Sequence, residues 1–405
     1  MNAELKQILR KEKIYIIILA AIQIAHVLDF VIIMPLGPQF MREFSINPTE
    51  FSSLVSAYTY SAGIFGFFGA IIADRFDRKK FLTFNFIGFI IGTFMCAISN
   101  GFSSLLIARL VAGAFGGILN ACVLSIVSDL IPFERRGNAM GVVMSAFSMA
   151  SVLGVPVGLY IAQLFGWKAA FIFIFLVSVI FLFLSWIILP SIKIERRIMG
   201  IKESLLNFKN ILSQKDYLQS FLFTSVLGFG VFMVVPFISP YMVRNVGLPE
   251  AKLPLIYLFG GTATIITARL IGKACDRVGS YKVFKTVALF SILPVFAMTN
   301  LPPAPAAIAL LSTSFFMMTG SGRFIPAMTI VSAVVKPAER GTFMSLENAS
   351  RQLSSGLASQ AAGLIIGSGV AGSLTNYNIV GYIGIMTSII AIYIAFRIKS
   401  KFNLR

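Results

Sequence analysis

The loop sequence ADRFDRKK at residues 73–80 decides the fold class, because a similar loop returns later in the chain. Its counterpart is GKACDRVGSYK at residues 272–282, and the Asp-Arg pairs of the two copies stand 202 residues apart. A second pair of basic loops, at 135–137 and 339–341, is offset by 204 residues. Long apolar segments flank all four loops. Such a repeat in an apolar chain predicts two similar helical bundles, related by an axis along the membrane normal.

The composition indicates a membrane protein and excludes an ordinary soluble enzyme. Of the 405 residues, 57% are hydrophobic, whereas soluble domains contain about 45–50%. Twelve helices of about 20 apolar residues would use about 240 positions, which is close to the apolar content of this chain. The apolar runs predict membrane spans at residues 14–37, 51–73, 81–99, 103–130, 138–164, 168–189, 217–241, 252–274, 281–300, 304–335, 342–368 and 377–397.

The predicted architecture is an all-α membrane protein with twelve transmembrane helices in two six-helix bundles. The first bundle is expected at residues 1–190 and the second at 217–405, joined by a cytoplasmic linker at 191–216. An apolar stripe in the linker predicts an amphipathic helix on the inner leaflet, formed by Ile198, Ile201, Leu205, Phe208 and Leu212. Glycines four residues apart predict close helix packing, at Gly88 and Gly92, Gly113 and Gly117, Gly154 and Gly158, and Gly363 and Gly367.

The basic residues predict the orientation of the chain. With the N-terminus in the cytoplasm, 26 of the 34 Lys and Arg residues lie in inner loops or tails, four lie outside and four lie within spans. This distribution follows the positive-inside rule, so both termini are expected on the cytoplasmic side of a bacterial inner membrane. Topology thus explains most of the net charge of +18, and we expect no nucleic-acid partner. The three cysteines are interpreted as small core residues.

At these loops the chain resembles the major facilitator superfamily of transporters, and the resemblance covers all twelve spans. Residues 73–80 belong to a segment similar to the signature GxxxDRxGRK, with Ala70 and Asp77 where the pattern has glycines. The resemblance implies a latch that joins the two bundles on the cytoplasmic side, and the alternative is that these charges only set the topology. The latch role falls on Asp74, Arg75, Arg78, Asp276 and Arg277.

Two further motifs carry the resemblance to one branch of the superfamily. Arg109 and Gly113 in the fourth span match an RxxxG pattern. In the fifth span, Gly154, Pro156 and Gly158 resemble the kinked motif of proton-coupled antiporters, in the variant of arabinose-efflux-type drug and sugar exporters. A proline inside a helix removes one backbone hydrogen bond and favours a kink. The resemblance therefore implies export rather than import.

Charged residues inside the predicted spans are candidates for the coupling of transport to protons. Each costs a few kcal/mol at the centre of a membrane helix, so a functional role is expected. Asp29 in the first span and Arg109 in the fourth lie at similar depth and are predicted to pair. His26 lies one turn before Asp29 on the same helix face. It is interpreted either as a proton relay or as a hydrogen-bonded packing residue; a metal site is not expected.

In the second half, the predicted tenth and eleventh spans carry the other charged candidates. Glu347 and Arg351 form an i, i+4 pair, and Arg323 follows a glycine-rich segment. These three residues are expected either to form a static buried network or to line the substrate cavity, with Glu347 as a second proton-coupling carboxylate. An apolar cavity wall is predicted on the seventh span at Phe229, Phe232, Met233 and Phe237.

These features favour secondary active export of a small, amphiphilic organic molecule, driven by protons and working by alternating access. The alternative within the same class is an importer or uniporter of a specific metabolite or lipid-like solute. A membrane enzyme or non-transporting receptor is disfavoured, because no GxSxG, HExxH or Walker A sequence occurs. The expected partners are the small-molecule substrate, protons and membrane lipids, with no cofactor and no metal. The protein is expected to be a monomer.

Overall fold

A computed structural model of the protein describes residues 3–72, 75–191, 201–336 and 339–402, and these residues are nearly all helical. Helices occupy each of the twelve predicted ranges, with ends that differ by a few residues. The helices of the first half are α1 (Ala3–Ile32), α2 (Gly37–Glu43), α3 (Pro48–Ile72), α4 (Arg78–Ile98), α5 (Phe102–Leu130), α6 (Phe133–Met144), α7 (Ala146–Met149), α8 (Val155–Phe165) and α9 (Trp167–Ile188).

The second half follows the short linker helix α10 (Ile201–Leu212). A two-stranded hairpin lies in the loop before its last helix. The elements are α11 (Lys215–Val234), α12 (Ile238–Arg244), α13 (Leu253–Val278), α14 (Ser280–Phe290), α15 (Ile292–Thr299), α16 (Ala306–Gly322), α17 (Phe324–Val334), α18 (Arg340–Ile365), β1 (Gly367–Ser368), β2 (Leu374–Thr375) and α19 (Tyr377–Phe402). The chain therefore has the predicted two-bundle fold.

Nine helical segments within the described residues are long and apolar enough to cross a membrane. The other predicted spans correspond to α3, to the consecutive helices α16 and α17, and to α18. Their crossing of the membrane stays a prediction, as does the cytoplasmic location of the termini. We call the end of the molecule that carries α2 the outer face, following the orientation predicted from the basic residues.

Two local features show how the sequence sets the helix boundaries. Asp77 precedes α4 and accepts a hydrogen bond from the Lys80 backbone N at 3.0 Å, so it caps the free N-terminal donors of that helix. Gly279 separates α13 from α14 and has φ of 91°, a conformation that side chains with a Cβ rarely adopt. The turn between these two helices thus depends on glycine.

Glycines hold the helices of the first half close together, as their spacing predicted. A Cβ on Gly113 would lie 2.4 Å from the Tyr58 carbonyl oxygen, and one on Gly117 would lie 2.2 Å from the Ala62 carbonyl oxygen. Helices α3 and α5 therefore touch through their backbones. The expectation for Gly367 is wrong, because the eleventh helix ends at Ile365 and Gly367 lies in β1.

Gly117→Ala is expected to destabilise the protein by about 1–3 kcal/mol, because the added methyl group has to push α3 away from α5. Gly137→Ala is the matched control, since Gly137 is also helical but has open space around it. The thermal unfolding midpoints of the two purified variants measure the difference. Equal midpoints would contradict the close contact.

The linker helix α10 was expected to lie on the inner leaflet, and in the structure one of its faces packs against the bundles. Phe208 and Ile211 are buried among residues of the second half, and the Phe208 ring lies 5.1 Å from that of Phe67 in α3. Leu212 is 44% exposed, and the contact of the predicted apolar stripe with the inner leaflet stays a prediction. Ile198 lies outside the described residues. The helix packs by a face centred on Phe208 and Ile211, because the partner is protein rather than lipid alone.

The two halves meet at the outer face. Phe51 of the first half packs edge-on against Phe237 of the second, with ring centroids 5.5 Å apart. Nearby, the Thr49 hydroxyl donates to the Gly363 carbonyl oxygen at 2.7 Å. Deeper in the same interface, the Ser56 hydroxyl donates to Gln360 Oε1 at 2.9 Å. Apolar and polar contacts thus close the path between the halves on this side.

Candidate functional site

The predicted pair of Asp29 and Arg109 is present in the first half. Asp29 lies on α1 and Arg109 on α5, and the side chains of both are completely buried. Arg109 Nη1 donates to Asp29 Oδ2 at 2.9 Å and to the Asp29 backbone carbonyl oxygen at 3.1 Å. On the other side, the Thr93 hydroxyl of α4 donates to Asp29 Oδ1 at 3.1 Å. Three helices thus converge on one carboxylate.

A buried ion pair of this kind is sensitive to the loss of either partner. Removal of one charge leaves the other unpaired in a medium of low dielectric constant and typically costs about 3–5 kcal/mol. Replacement of both by neutral groups costs less. The same property makes the pair suitable for coupling, because protonation of Asp29 removes its charge and weakens its attraction to Arg109.

Aromatic residues surround the ion pair. The Arg109 guanidinium carbon lies 4.4 Å from the centroid of the Tyr58 ring, which is a cation–π geometry. His26 packs between Tyr58 and Phe89, with ring centroids 6.3 and 5.9 Å away. Neither nitrogen of His26 has a hydrogen-bond partner among the described residues. No protein hydrogen bond supports the interpretation of His26 as a packing residue, and its role stays a prediction.

Glu347 and Arg351 also form their predicted pair, on α18 at the middle of the second half. Arg351 Nε lies 3.4 Å from Glu347 Oε1, with the Glu347 side chain 4% exposed and the Arg351 side chain 30% exposed. Arg351 also donates to Asn348 Oδ1 at 2.8 Å. The carboxylate is thus enclosed, while the guanidinium remains accessible.

Arg323 lies apart from this pair. It is buried after the end of α16, and its Nη1 donates to the Ser388 hydroxyl of α19 at 2.5 Å. The predicted network of three charged residues is therefore reduced to Glu347 and Arg351. Arg323 links two helices of its own half, because the break between α16 and α17 directs its side chain toward α19.

The predicted aromatic wall on α11 divides into two parts. Phe229 and Phe232 are partly exposed, and the Phe232 ring stacks on Phe30 of α1 at 5.9 Å. Met233 and Phe237 are fully buried in the core that joins the halves. The first two are accessible in this state, whereas Phe237 closes the outer face, and a substrate contact of any of the four residues stays a prediction.

The kink motif of the fifth span coincides with an irregular helix. A π-helical turn covers Ala150–Gly154, and Pro156 stands in the first turn of the following helix α8. Val152 in this turn packs against Gly261 of α13. A Cβ built on Gly261 would lie only 2.7 Å from Val152 Cγ2. Gly154 and Gly158 lie against Leu28 and Ile32 of α1. The motif therefore lies between the first span and the opposite half.

The latch residues within the described part of the chain lie at the inner face. Asp74 lies outside the described residues. Arg78 pairs with Asp129 of the same half, at 3.0 Å between Nε and Oδ2. Arg75, Asp276 and Arg277 are exposed. The latch between the halves stays a prediction, and its test requires a state that is closed at the inner face.

Three residues of the site were not predicted from the sequence. Thr93 binds the carboxylate of Asp29, Tyr58 covers Arg109, and Gly116 lies beside Tyr58 and His26. Hydroxyl residues and glycines are common in membrane helices, so their identity alone gives no signal. Only the packing of the helices shows that these three residues lie close to Asp29, Arg109 and His26.

Comparison with known proteins places most of the chain in one family. The family model of the Major Facilitator Superfamily matches residues 19–359. A Bacillus subtilis protein described as the uncharacterized MFS-type transporter YceJ is 24% identical over 90% of this chain and 89% of that protein. Multidrug resistance protein 2 of the same species is 26% identical over 73% of this chain and 74% of that protein.

Solved structures show the same fold. The D-xylose-proton symporter superposes with a TM-score of 0.74 at 16% identity, covering 93% of this chain and 96% of that one. A bacterial homolog of the human lysosomal transporter Spinster, in an inward-facing conformation, gives a TM-score of 0.71 at 15% identity over 97% and 96% of the two chains. The chain therefore belongs to the Major Facilitator Superfamily and is a membrane transporter rather than an enzyme.

Proposed function

We propose that this transporter exports a small amphiphilic organic solute in exchange for protons. The observation that carries the proposal is the completely buried pair of Asp29 and Arg109. Arginine remains charged at any working pH, so the carboxylate is the group that can take up and release the proton. Relatives named for multidrug resistance support export of drug-like molecules.

The contacts between the halves support an alternating-access cycle. Phe51 and Phe237 close the outer face, so we propose that a solute from the cytoplasm enters from the inner face. Opening of the outer face requires the contacts of Thr49 and Ser56 with the second half to break. We propose that proton binding at Asp29 and its later release accompany this exchange of states.

The central residues support an amphiphilic substrate. Phe229, Phe232 and Phe30 offer aromatic surface near the middle of the molecule. Arg351, partly exposed on α18, offers a permanent cation and several hydrogen-bond donors. A solute with an apolar body and a polar or anionic group would be complementary to these residues.

Reconstitution in liposomes tests the proposed function. Purified protein is expected to acidify the lumen only when the lumen contains an exported solute, which leaves as protons enter, and a screen of dyes and antibiotics would identify that solute. Solute movement that is independent of the proton gradient would favour the uniporter alternative. Movement of proton and solute in the same direction would favour an importer.

Arg351→Gln is expected to raise the KM for an exported solute about tenfold, with little change in the maximal rate, because it removes one charge-assisted contact of about 1.5–3 kcal/mol. Glutamine retains a hydrogen-bond donor near the buried Glu347. Arg269→Gln is the control, since Arg269 is also a membrane-span arginine but is exposed on the surface of α13. Equal KM values for the two variants would remove Arg351 from the substrate site.

A further inference from the structure

Buried polar groups continue inward from the ion pair along α1. Asp29, His26 and Gln23 follow one another at intervals of three residues, and all three are buried. Residues at this spacing lie on one side of a helix, and six residues span about 9 Å of its length. The row therefore begins at the proposed proton site and leads toward the inner face.

Helix α5 runs antiparallel to α1 and places one residue beside each member of this row. Arg109 faces Asp29, Gly116 faces His26, and Asn120 accepts a hydrogen bond from Gln23 Nε2 at 2.9 Å. Asn120 is partly exposed, whereas His26 and Asp29 are not. The polar row thus ends at Asn120, whose side chain is partly accessible from outside the protein.

Several polar atoms in this row have no protein partner within the described residues. They comprise both ring nitrogens of His26, the hydroxyl of Tyr58, the Oε1 atom of Gln23, and Nε and Nη2 of Arg109. A buried polar group without a hydrogen bond typically costs about 1–3 kcal/mol. Water molecules inside proteins bind at sites of this kind, where two or more such groups converge.

Gly116 brings two of these atoms together. A Cβ placed on Gly116 would lie 2.3 Å from Tyr58 Oη and 3.1 Å from His26 Nε2. Tyr58 Oη and His26 Nε2 thus both lie beside Gly116, each without a protein partner among the described residues, and one water molecule between them would satisfy both groups. Only glycine at this position leaves room for both groups.

We propose that Tyr58 and His26 bind a water molecule and, with Gln23, relay protons between Asp29 and the inner face. This inference rests on the proposed function, since it supplies the path for the proton that Asp29 exchanges. The outer face is closed in this structure, and Asp29 itself is inaccessible. An internal route allows its proton to reach the cytoplasmic side without exposure of the ion pair.

The proton balance of the relay is simple. The carboxyl of Asp29 gives its proton to the bound water, which passes one of its own protons to His26 Nε2. His26 Nδ1 then releases its proton to a water molecule on the inner side, which the unpartnered Gln23 Oε1 would hold as a hydrogen-bond acceptor, and the imidazole returns to its first tautomer before the next transfer. A neutral imidazole has one donor and one acceptor nitrogen, so it can carry out this exchange. The Tyr58 hydroxyl holds the water in place.

Infrared spectroscopy of the purified full-length protein in D2O tests the relay without knowledge of the substrate. A step from alkaline to acidic D2O produces carboxyl bands, and the band missing in Asp29→Asn belongs to Asp29. Its appearance is expected to be about tenfold slower or more in Tyr58→Phe and in His26→Gln, because each removes a group that passes protons or holds the water. Tyr60→Phe removes a hydroxyl from the same helix and should leave the rate unchanged.

The outcomes separate the relay from the function on which it rests. If no carboxyl band is lost in Asp29→Asn, Asp29 does not titrate and the proposed coupling fails. If the band is present and either Tyr58→Phe or His26→Gln exchanges at the wild-type rate, the relay is overturned while the coupling stands. Equal slowing in Tyr60→Phe also overturns the relay, because it would show a general change in helix packing.

Discussion

Asp29→Asn is expected to abolish proton-driven transport and to leave the protein folded in the membrane. Asparagine has the shape of aspartate, and its Oδ1 can accept from Arg109 while its amide NH2 donates to the Thr93 hydroxyl, but it cannot take up a proton. The loss should exceed about a hundredfold, as is typical when a group that transfers protons is removed. Downhill movement of the same solute, measured without a proton gradient, should continue.

Solute flux into liposomes with and without an imposed pH gradient provides the measurement. Asp216→Asn is the matched control, because Asp216 is also paired with a basic residue, Lys401, but lies at the exposed inner end of α11. The control should behave as the wild type does. Gradient-driven transport by Asp29→Asn at the wild-type rate would remove Asp29 from the mechanism.

Arg109→Ala is expected to abolish coupled transport and to destabilise the protein by about 3–5 kcal/mol, because it leaves Asp29 buried without its cation. The loss includes the contact of the guanidinium with Tyr58. Arg109→Lys should retain part of the activity, since it keeps a charge but loses the planar geometry of the guanidinium. Thermal unfolding and gradient-driven flux measure the two effects.

The double variant Asp29→Asn with Arg109→Ala separates the electrostatic part of this loss. It should be no less stable than Arg109→Ala alone, because no ionisable acid remains there without its partner. Neither variant should show coupled transport. A double variant that is clearly less stable than Arg109→Ala would indicate that Arg109 acts as an anchor for backbone carbonyls, such as that of Asp29.

The sequence alone determined the membrane-helix architecture, because each span needs about 20 apolar residues and each charge inside a span is costly. For the same reason it identified four charged residues inside the spans as candidates for a functional role: Asp29, Arg109, Glu347 and Arg351. The pairing of Asp29 with Arg109 was predicted from their similar depth in the membrane. The pairing of Glu347 with Arg351 was predicted from their separation by one helical turn. Both pairs are confirmed by the packed structure.

Only the tertiary structure decided which neutral side chains complete the site and which candidates lie elsewhere. Depth can be read from the distance of a residue to the end of its span, but the rotation of each helix is set by packing against its neighbours. Close approach at Gly113 and Gly117 turns Tyr58 toward Arg109, and the break after α16 turns Arg323 toward Ser388. These rotations depend on contacts between residues far apart in the chain, so the order of amino acids along one helix does not reveal them.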